Sequence, residues 1–272
     1  MKLSYLCATT ECRSKRVLGL RGDLDRCCAQ LAAFGYDGIE LMVRNPRELD
    51  QPAIVRTIAQ HGLTVPDIGA APIIGEDKLS LMDPNPEVRQ RARERLRDVI
   101  DLAARFGAQI HAGSLRGRLP EGAQAQEGLA WLSEGLLDIA EYGQPKGVRV
   151  LLEPLNHFEA NIFLTVLEAA EYLRSLNHPN LGILPDTFHM NIEERCPPAS
   201  IMAARDFITH VHFADSNRWY PGAGHVNFRE VLEALRLIDY DRFITIEVKQ
   251  EPDPETAARR AAQTVRALLD TL

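Results

Sequence analysis

The sequence predicts a single (β/α)8 barrel of the TIM type, an α/β fold, and three observations support this prediction. Apolar runs of strand type alternate with helix-type segments along the whole chain, and eight such pairs are present. The connections are short, and no linker, low-complexity tract or block of like charge divides the 272 residues. A doubly wound sheet would normally carry a glycine-rich phosphate turn, but neither GxGxxG nor GxxxxGK[ST] occurs. We therefore expect residues 1–272 to form one barrel domain.

The strand and helix predictions follow from hydrophobic periodicity. Eight apolar runs are predicted as strands, at residues 3–9, 38–43, 64–70, 109–115, 149–155, 181–186, 208–215 and 242–248. Between them, apolar residues recur at helical spacing, as Leu24, Cys28 and Leu31 do in the first helix. The predicted helices are 23–34, 52–61, 85–106, 124–142, 165–176, 198–207, 227–238 and 254–272.

The helix at 85–106 has the clearest signals in the chain. Asn85 can cap it, Pro86 suits its first position, and Gly107 ends it. Arginines between positions 89 and 97 suggest a nucleic-acid surface, but acidic residues alternate with them. This mixture predicts a solvated outer helix face instead.

Composition restricts the class of protein. Hydrophobic residues make up 45% and charged residues 25%, which is typical of a soluble globular protein with a sizeable core. The formal net charge of −7 argues against a nucleic-acid partner. No apolar run approaches the roughly 18 residues of a membrane helix, and the run at 3–8 is too short for a secretory signal. We expect a cytoplasmic protein without a membrane partner.

The five cysteines agree with a reducing compartment. Their number is odd, they are scattered, and no CxxC pair occurs. This usage is not typical of a disulfide scaffold or a structural zinc site.

Four potential metal ligands lie at the ends of the last four predicted strands. Glu153, Asp186 and Glu247 close strands five, six and eight, and His212 lies in strand seven. In a TIM barrel these strand ends meet on one face, which also carries the catalytic residues. Three neighbouring carboxylates repel one another unless a cation neutralises them. Oxygen-rich ligation with one imidazole suits a divalent ion better than a structural zinc, and we expect Mn²⁺, with Co²⁺ or Mg²⁺ as alternatives.

Four motifs in the C-terminal half carry a family resemblance. They are LLEPLNHFE (151–159), DTFHMNIEE (186–194), HVHFADSNRWYPGAGH (210–225) and ITIEVK (244–249). With them the chain resembles the sugar phosphate isomerase/epimerase superfamily of xylose-isomerase-like TIM barrels, in its D-tagatose/D-psicose (ketose) 3-epimerase branch. The N-terminal half is generic barrel sequence. Relatives in this family are commonly dimers or tetramers, so the resemblance implies a homo-oligomer.

The resemblance also implies roles for particular residues. Glu153, Asp186, His212 and Glu247 would bind the metal, and Glu153 and Glu247 would also form the acid/base pair. The substrate-contacting positions of the family motifs fall on Glu159, His189 and Arg218. His225, in the PGAGH loop, is expected near the same face.

The residue types suit one reaction without reference to the family. Inverting a carbon next to a ketone requires that a proton leave one face and return to the other, which two flanking carboxylates can do. A metal that bridges the ketone and its neighbouring hydroxyl stabilises the enediolate as a Lewis acid. The expected function is therefore a metal-dependent epimerase acting on a small keto-sugar. His189 is expected to polarise the carbonyl or hold a hydroxyl, and a structural role is its alternative.

Three other functions are weighed against this one. An aldose–ketose isomerase of the hydroxypyruvate or xylose type would use the same metal and carboxylates. An abasic-site endonuclease built on this barrel needs a trinuclear zinc cluster and more histidines, but strand three ends in IGAAP without one. A catalytically inactive binding barrel should have lost a ligand, and none of the four is lost.

The identity of the substrate stays open at this stage. Arg44, Arg116, Arg118 and Arg218 follow predicted strand ends, and arginine binds carboxylates bidentately. We therefore expect either a neutral ketohexose or a keto-sugar acid whose carboxylate one of these arginines binds. Loop salt bridges explain the arginines equally well.

The remaining histidines are predicted to have mostly structural roles. His210 precedes His212 by two residues and thus shares its strand face, where a core or supporting role is favoured. His61 and His178 lie near helix ends and are expected at the surface. The orientation of His111, on strand four, is left open.

Overall fold

A computed structural model describes residues 1–14 and 17–272. It contains eight parallel strands: β1 (Lys2–Ala8), β2 (Gly38–Met42), β3 (Asp67–Gly69), β4 (Gln109–His111), β5 (Val150–Leu152), β6 (Leu181–Ile183), β7 (Val211–Phe213) and β8 (Phe243–Ile246). Their order in the sheet is β6-β5-β4-β3-β2-β1-β8-β7. Parallel bridges from Ile183 to Ile208 and from Asp186 to His212 join the two edges. The sheet therefore closes on itself, and the predicted (β/α)8 barrel is confirmed.

Ten α-helices accompany the strands in the described residues. They are α1 (Leu24–Ala33), α2 (Gln51–Gln60), α3 (Ala71–Asp77), α4 (Pro86–Ala104), α5 (Ala125–Gly143), α6 (Val166–Leu176), α7 (Thr187–Glu193), α8 (Pro197–Ala203), α9 (Phe228–Leu237) and α10 (Pro254–Leu269). Eight of these correspond to the predicted helices. The short helices α3 and α7, of seven residues each, were not predicted from the sequence.

The predicted caps of α4 are present. The Asn85 side chain accepts a hydrogen bond from the Glu87 amide at 2.9 Å, and Pro86 occupies the first turn. On its outer side Arg93 and Arg97 pair with acidic residues of α5, as expected of a solvated face. The arginine-rich segment therefore contributes to packing between helices.

Strand pairing ends earlier than the apolar runs suggest. The run at 109–115 pairs only as far as His111, and Gly113–Arg116 forms a 3-10 helix, so the prediction of strand up to residue 115 is wrong. Gly113 has φ +35°, a backbone conformation that a strand does not contain.

The strand–helix interfaces are apolar, and strand residues such as Leu3, Ile39 and Ile110 are fully buried. All five cysteines are free: Cys196 is exposed and the other four are buried. In the part of the chain that is described, no helix is long and apolar enough to cross a membrane.

Candidate active site

The four predicted metal ligands converge at the C-terminal end of the barrel. Glu153 and Glu247 directly follow β5 and β8, Asp186 caps α7, and His212 lies in β7. One donor atom of each lies within 4.8 Å of the others. Nδ1 of His212 is 3.3 Å from Glu247 Oε2, 3.9 Å from Glu153 Oε1 and 4.0 Å from Asp186 Oδ2. Four consecutive strands thus direct three carboxylates and one imidazole at a single point.

Burial and mutual repulsion dominate the electrostatics of this group. Burial, with repulsion from Glu247 as the second cause, raises the pKa of Glu153 to about 8. Burial also raises the pKa of Asp186 to about 6. Burial alone would raise the pKa of Glu247, but Arg218 and His212 outweigh it and lower that pKa to about 2. The three carboxylates together carry more potential negative charge than the neighbouring cations neutralise.

Arg218 is the cation that touches this group directly. Its Nη1 donates to Asp186 Oδ2 at 2.6 Å and its Nη2 to Glu247 Oε2 at 2.5 Å. The guanidinium lies 4.7 Å from the centre of the Phe188 ring, in cation–π geometry. Arg218 therefore fixes two of the carboxylates in place.

The donor set fits a divalent ion. Three carboxylates supply hard oxygen ligands, and one neutral imidazole nitrogen completes a set that suits Mn²⁺, Co²⁺ or Mg²⁺. All four side chains are buried or nearly so, which protects the ligands from competing water. The cluster therefore fits the expected metal by its chemistry.

A polar network beneath the ligands involves Glu40, which the sequence analysis did not single out. Glu40 lies in β2 and is fully buried, and its Oε2 accepts from Nε2 of both His210 and His212, at 2.9 and 3.1 Å. His210 Nε2 also contacts Thr245 Oγ1 at 2.8 Å. Burial alone would raise the pKa of Glu40, but the two histidines hold it well below its usual range. His210 thus occupies the buried, supporting position expected of it.

A cleft of about 430 Å³ opens above the ligands. Glu153, Glu247, Glu159, His189 and Arg218 all line it, so the structure brings the predicted acid/base pair and the three main substrate-contacting candidates together. The lining also contains apolar residues, which include Leu18, Met42, Pro72, Ile74 and Phe158. Such a cleft is large enough for a small molecule such as a monosaccharide.

His189 presents a hydrogen-bond donor to the cleft. The backbone amide of Asn156 donates to His189 Nδ1 at 3.2 Å, and the Asn156 side chain lies 2.7 Å from the same atom. Burial and the nearby Arg218 keep the pKa of His189 well below its usual range. The ring is therefore neutral, Nδ1 is the acceptor, and the proton is on Nε2. Asn156, missed from the sequence, also contacts Glu159 Oε1 at 3.4 Å.

Two of the predicted substrate arginines, Arg116 and Arg44, do not line the cleft. Arg116 is fully buried and donates to the carbonyl oxygens of Glu153 and Ile162. Arg44 bonds to Asp77, with Nη2 2.8 Å from Oδ1, and lies near two further acidic side chains. The expectation that either arginine binds a substrate carboxylate receives no support from this placement, because neither lines the cleft and both Nη groups of each have protein acceptors.

Arg118 and His225 also lie outside the cleft lining. Arg118 is exposed and donates to the Glu159 carbonyl oxygen at 3.1 Å. His225 is exposed, and its Nδ1 lies 2.9 Å from Ser216 Oγ. Their substrate-binding roles, expected from loop position, receive no support from this placement.

Two further residues of the region were not recognised from sequence. His111 lines the cleft, and its Nδ1 lies 2.5 Å from Asp67 Oδ2. Burial alone would lower the pKa of His111, but Asp67 raises it to about 9. Asp67, His111 and Glu40 could have been recognised from the sequence as candidates, because each is a charged or polar residue within an apolar strand.

Comparison with known proteins agrees with this geometry. Residues 28–268 match the xylose isomerase-like TIM barrel family. The chain belongs to this family. This xylose isomerase-like barrel resembles the ketose 3-epimerase of Arthrobacter globiformis. The two sequences are 32% identical over 216 residues, which cover 78% of this chain and 73% of the relative.

Two further matches are also 3-epimerases of sugars. The L-ribulose 3-epimerase of Methylomonas sp. (strain DH-1) is 31% identical over 225 residues, covering 82% of this chain and 77% of the relative. The crystal structure of a D-allulose 3-epimerase from Methylomonas sp. superposes with a TM-score of 0.84 at 25% identity, over 98% of each chain. The predicted family, its ketose 3-epimerase branch and the enzyme class of carbohydrate epimerase are confirmed.

Proposed function

We propose that this xylose isomerase-like barrel is a divalent-metal-dependent epimerase that inverts the carbon next to the ketone of a keto-sugar. One observation carries the proposal: three carboxylates and an imidazole meet at the floor of a cleft whose wall presents His189, Glu159 and Arg218. The names of the matched relatives, ketose and L-ribulose 3-epimerases, support the same reaction.

The proposed metal ligands are Glu153, Asp186, His212 and Glu247, and Mn²⁺ is the proposed ion, with Co²⁺ or Mg²⁺ as alternatives. When bound, the ion supplies Lewis-acid polarisation of the ketone and its neighbouring hydroxyl. Two of its ligands also border the space for substrate, since Glu153 and Glu247 line the cleft.

The proton transfers are assigned to Glu153 and Glu247. They follow β5 and β8, with Asp186 and His212 on the strands between them, so they flank the position of the reacting carbon. One carboxylate removes the proton from one face of this carbon, and the other returns a proton to the opposite face. Arg218 fixes the Glu247 carboxylate by its hydrogen bond. His189 donates from Nε2 to the ketone oxygen or an adjacent hydroxyl.

A neutral ketose is the favoured substrate. Of the residues described, Arg218 is the only Lys or Arg that lines the cleft, and its donors already contact Asp186 and Glu247. Among the described residues, a substrate carboxylate would therefore lack an unengaged Lys or Arg partner, and it would lie near three acidic side chains. The apolar lining residues, such as Met42 and Ile74, add no charge complementarity.

The decisive experiment follows the product and the position of solvent exchange. Chelator-treated protein, with and without Mn²⁺, Co²⁺ or Mg²⁺, is incubated in D₂O with a panel of ketohexoses, ketopentoses and keto-aldonates. We expect metal-dependent formation of the C3 epimer, with deuterium at C3 in both epimers. The Asp186→Asn variant is the matched control, because replacing a charged oxygen ligand with an amide should weaken metal binding.

Other outcomes would contradict the proposal. An aldose product would instead indicate an aldose–ketose isomerase that uses the same ligands. Full turnover in a sample shown to be metal-free would exclude the metal-dependent mechanism. Preference for every keto-aldonate over every neutral ketose would contradict the assigned substrate class.

A further inference from the structure

His111 has one ring nitrogen fixed by a buried carboxylate, and its side chain lines the cleft. Its Nδ1 lies 2.5 Å from Oδ2 of Asp67, the first residue of β3, which is fully buried. A carboxylate in an ion pair accepts hydrogen bonds only, so Nδ1 carries a proton and the ring orientation is set. Among the described residues, the hydrogen bonds of His111 run through Nδ1 alone.

Two glycines leave space around the other edge of the ring. A Cβ on Gly69 would lie 2.6 Å from Cε1 and 2.8 Å from Nε2 of His111. A Cβ on Gly113 would lie 3.4 Å from Cδ2 of His111 and 2.8 Å from Oε2 of Glu153. Gly69 ends β3 and Gly113 follows β4, so this edge lies on the side where the cleft opens. His111 accordingly lines the cleft, although only 2% of its surface is exposed.

The position of His111 relative to the carboxylates indicates which part of a substrate it can reach. It ends β4, whereas the four proposed metal ligands come from β5 to β8. In the barrel β4 adjoins β5, so His111 lies beside Glu153 on the side away from Asp186. A sugar held between Glu153 and Glu247 would extend its remaining carbons past this ring.

We propose that His111 is a specificity-determining residue whose Nε2 binds one hydroxyl of the keto-sugar outside the reacting carbons. The inference rests on the proposed function, since it presumes a sugar in this cleft. A hydroxyl both donates and accepts, so the contact forms with either protonation state of Nε2. Asp67 and Gly69 act through the His111 ring. Asp67 orients the imidazole, and Gly69, which has no side chain, avoids a steric clash with it.

Two variants test the contact in different ways. His111→Asn removes the ring, whereas Gly69→Ala keeps it and displaces it. The control His61→Asn breaks another His–carboxylate pair, with Asp25 on the outer surface, whose atoms are 2.8 Å apart. Each protein is assayed with the best ketohexose and with analogues that lack the hydroxyl at C1, C4, C5 or C6.

We expect selective losses. For the parent sugar, kcat/KM of His111→Asn falls about 10- to 100-fold, the effect of one lost hydrogen bond to a polar or charged partner. For the one analogue without the contacted hydroxyl, variant and wild type agree within about twofold. Gly69→Ala shows the same selectivity, and His61→Asn matches wild type throughout. Melting temperatures confirm that each variant is folded.

Three results would overturn the inference. A loss of equal size for the parent and all four analogues would make His111 a structural residue. A drop of more than about tenfold in Mn²⁺ affinity would assign His111 to the metal site, with Glu40 and His212, its neighbours in a second candidate cluster. A wild-type protein inactive on every keto-sugar would refute the proposed function itself, and this inference with it.

Discussion

Oε2 of Glu40 lies 3.1 Å from Nε2 of His212, so the opposite nitrogen of this ring, Nδ1, faces Asp186, Glu153 and Glu247. Because the Glu40 carboxylate accepts hydrogen bonds only, it holds a proton of His212 on Nε2, so Nδ1 is the nitrogen that would bind the proposed metal. Glu40 is fully buried in β2, on the far side of the barrel interior from the loops that carry the other ligands. This contact couples strand β2 to the proposed metal site at the ends of β5 to β8.

The Glu40–His212 contact predicts a loss of metal affinity on substitution. Glu40→Gln and Glu40→Leu should weaken Mn²⁺ binding about 10- to 100-fold, because the His212 tautomer and ring orientation are no longer held. Isothermal titration of chelator-treated protein measures the Kd directly. Glu134→Gln, which changes an exposed carboxylate paired with Arg93 on the outer helices, is the matched control. A lower melting temperature with an unchanged Kd would show that Glu40 only stabilises the fold.

The proposed acid/base pair makes a second prediction. Glu153→Gln and Glu247→Gln should each lower kcat by about 10²- to 10⁴-fold, the usual contribution of a positioned acid or base. Both residues are also proposed ligands, so metal content must be measured by atomic absorption in the same samples. A variant that keeps its metal and its full rate would remove that residue from the acid/base role.

Arg116 is predicted to support the active site through its backbone contacts. Arg116→Met removes the donors to the carbonyl oxygens of Glu153 and Ile162, and each buried unpaired group costs about 1–3 kcal/mol. We expect lower stability in urea unfolding and a lower kcat, without a change in the ratio of neutral to acidic substrates. Arg118→Met, at an exposed neighbour, should have little effect on either. A KM increase confined to keto-acids would instead support a substrate-binding role for Arg116.

The Asp77 ion pairs predict an acid-dependent loss of stability. Burial alone would raise the pKa of Asp77, but its hydrogen bonds to Arg44 and Arg95 outweigh this and lower the pKa below its usual value. A depressed folded-state pKa stabilises the fold above the unfolded pKa of about 3.9, and this stability is lost as pH falls through the folded value. Asp77→Asn should therefore be less stable at neutral pH by about 1–3 kcal/mol, a difference that shrinks in acid.

Urea unfolding at a series of pH values measures this difference between wild type and Asp77→Asn. Asp206→Asn is the control, because its side chain is 81% exposed and its carboxylate pairs with the neighbouring Arg205. If the difference in the free energy of unfolding between wild type and Asp77→Asn stays constant from neutral to acidic pH, the charge of Asp77 does not hold Arg44 in place.

Local sequence patterns were enough to predict the barrel and to group its four candidate metal ligands. Alternating apolar runs and amphipathic segments are local patterns, and in a TIM barrel the strand ends share one face, so Glu153, Asp186, His212 and Glu247 could be grouped without coordinates. Which of the other polar residues belong to the candidate site could be identified only from the tertiary structure. Arg116 and His111 both lie near the end of β4, yet one turns into the protein and the other lines the cleft. Side-chain direction after a strand end depends on the turn that follows and on partners far along the chain, such as Asp67 for His111 and Glu40 for His212. These pairings between distant strands leave no periodic trace in the sequence, because each depends on the closure of the barrel.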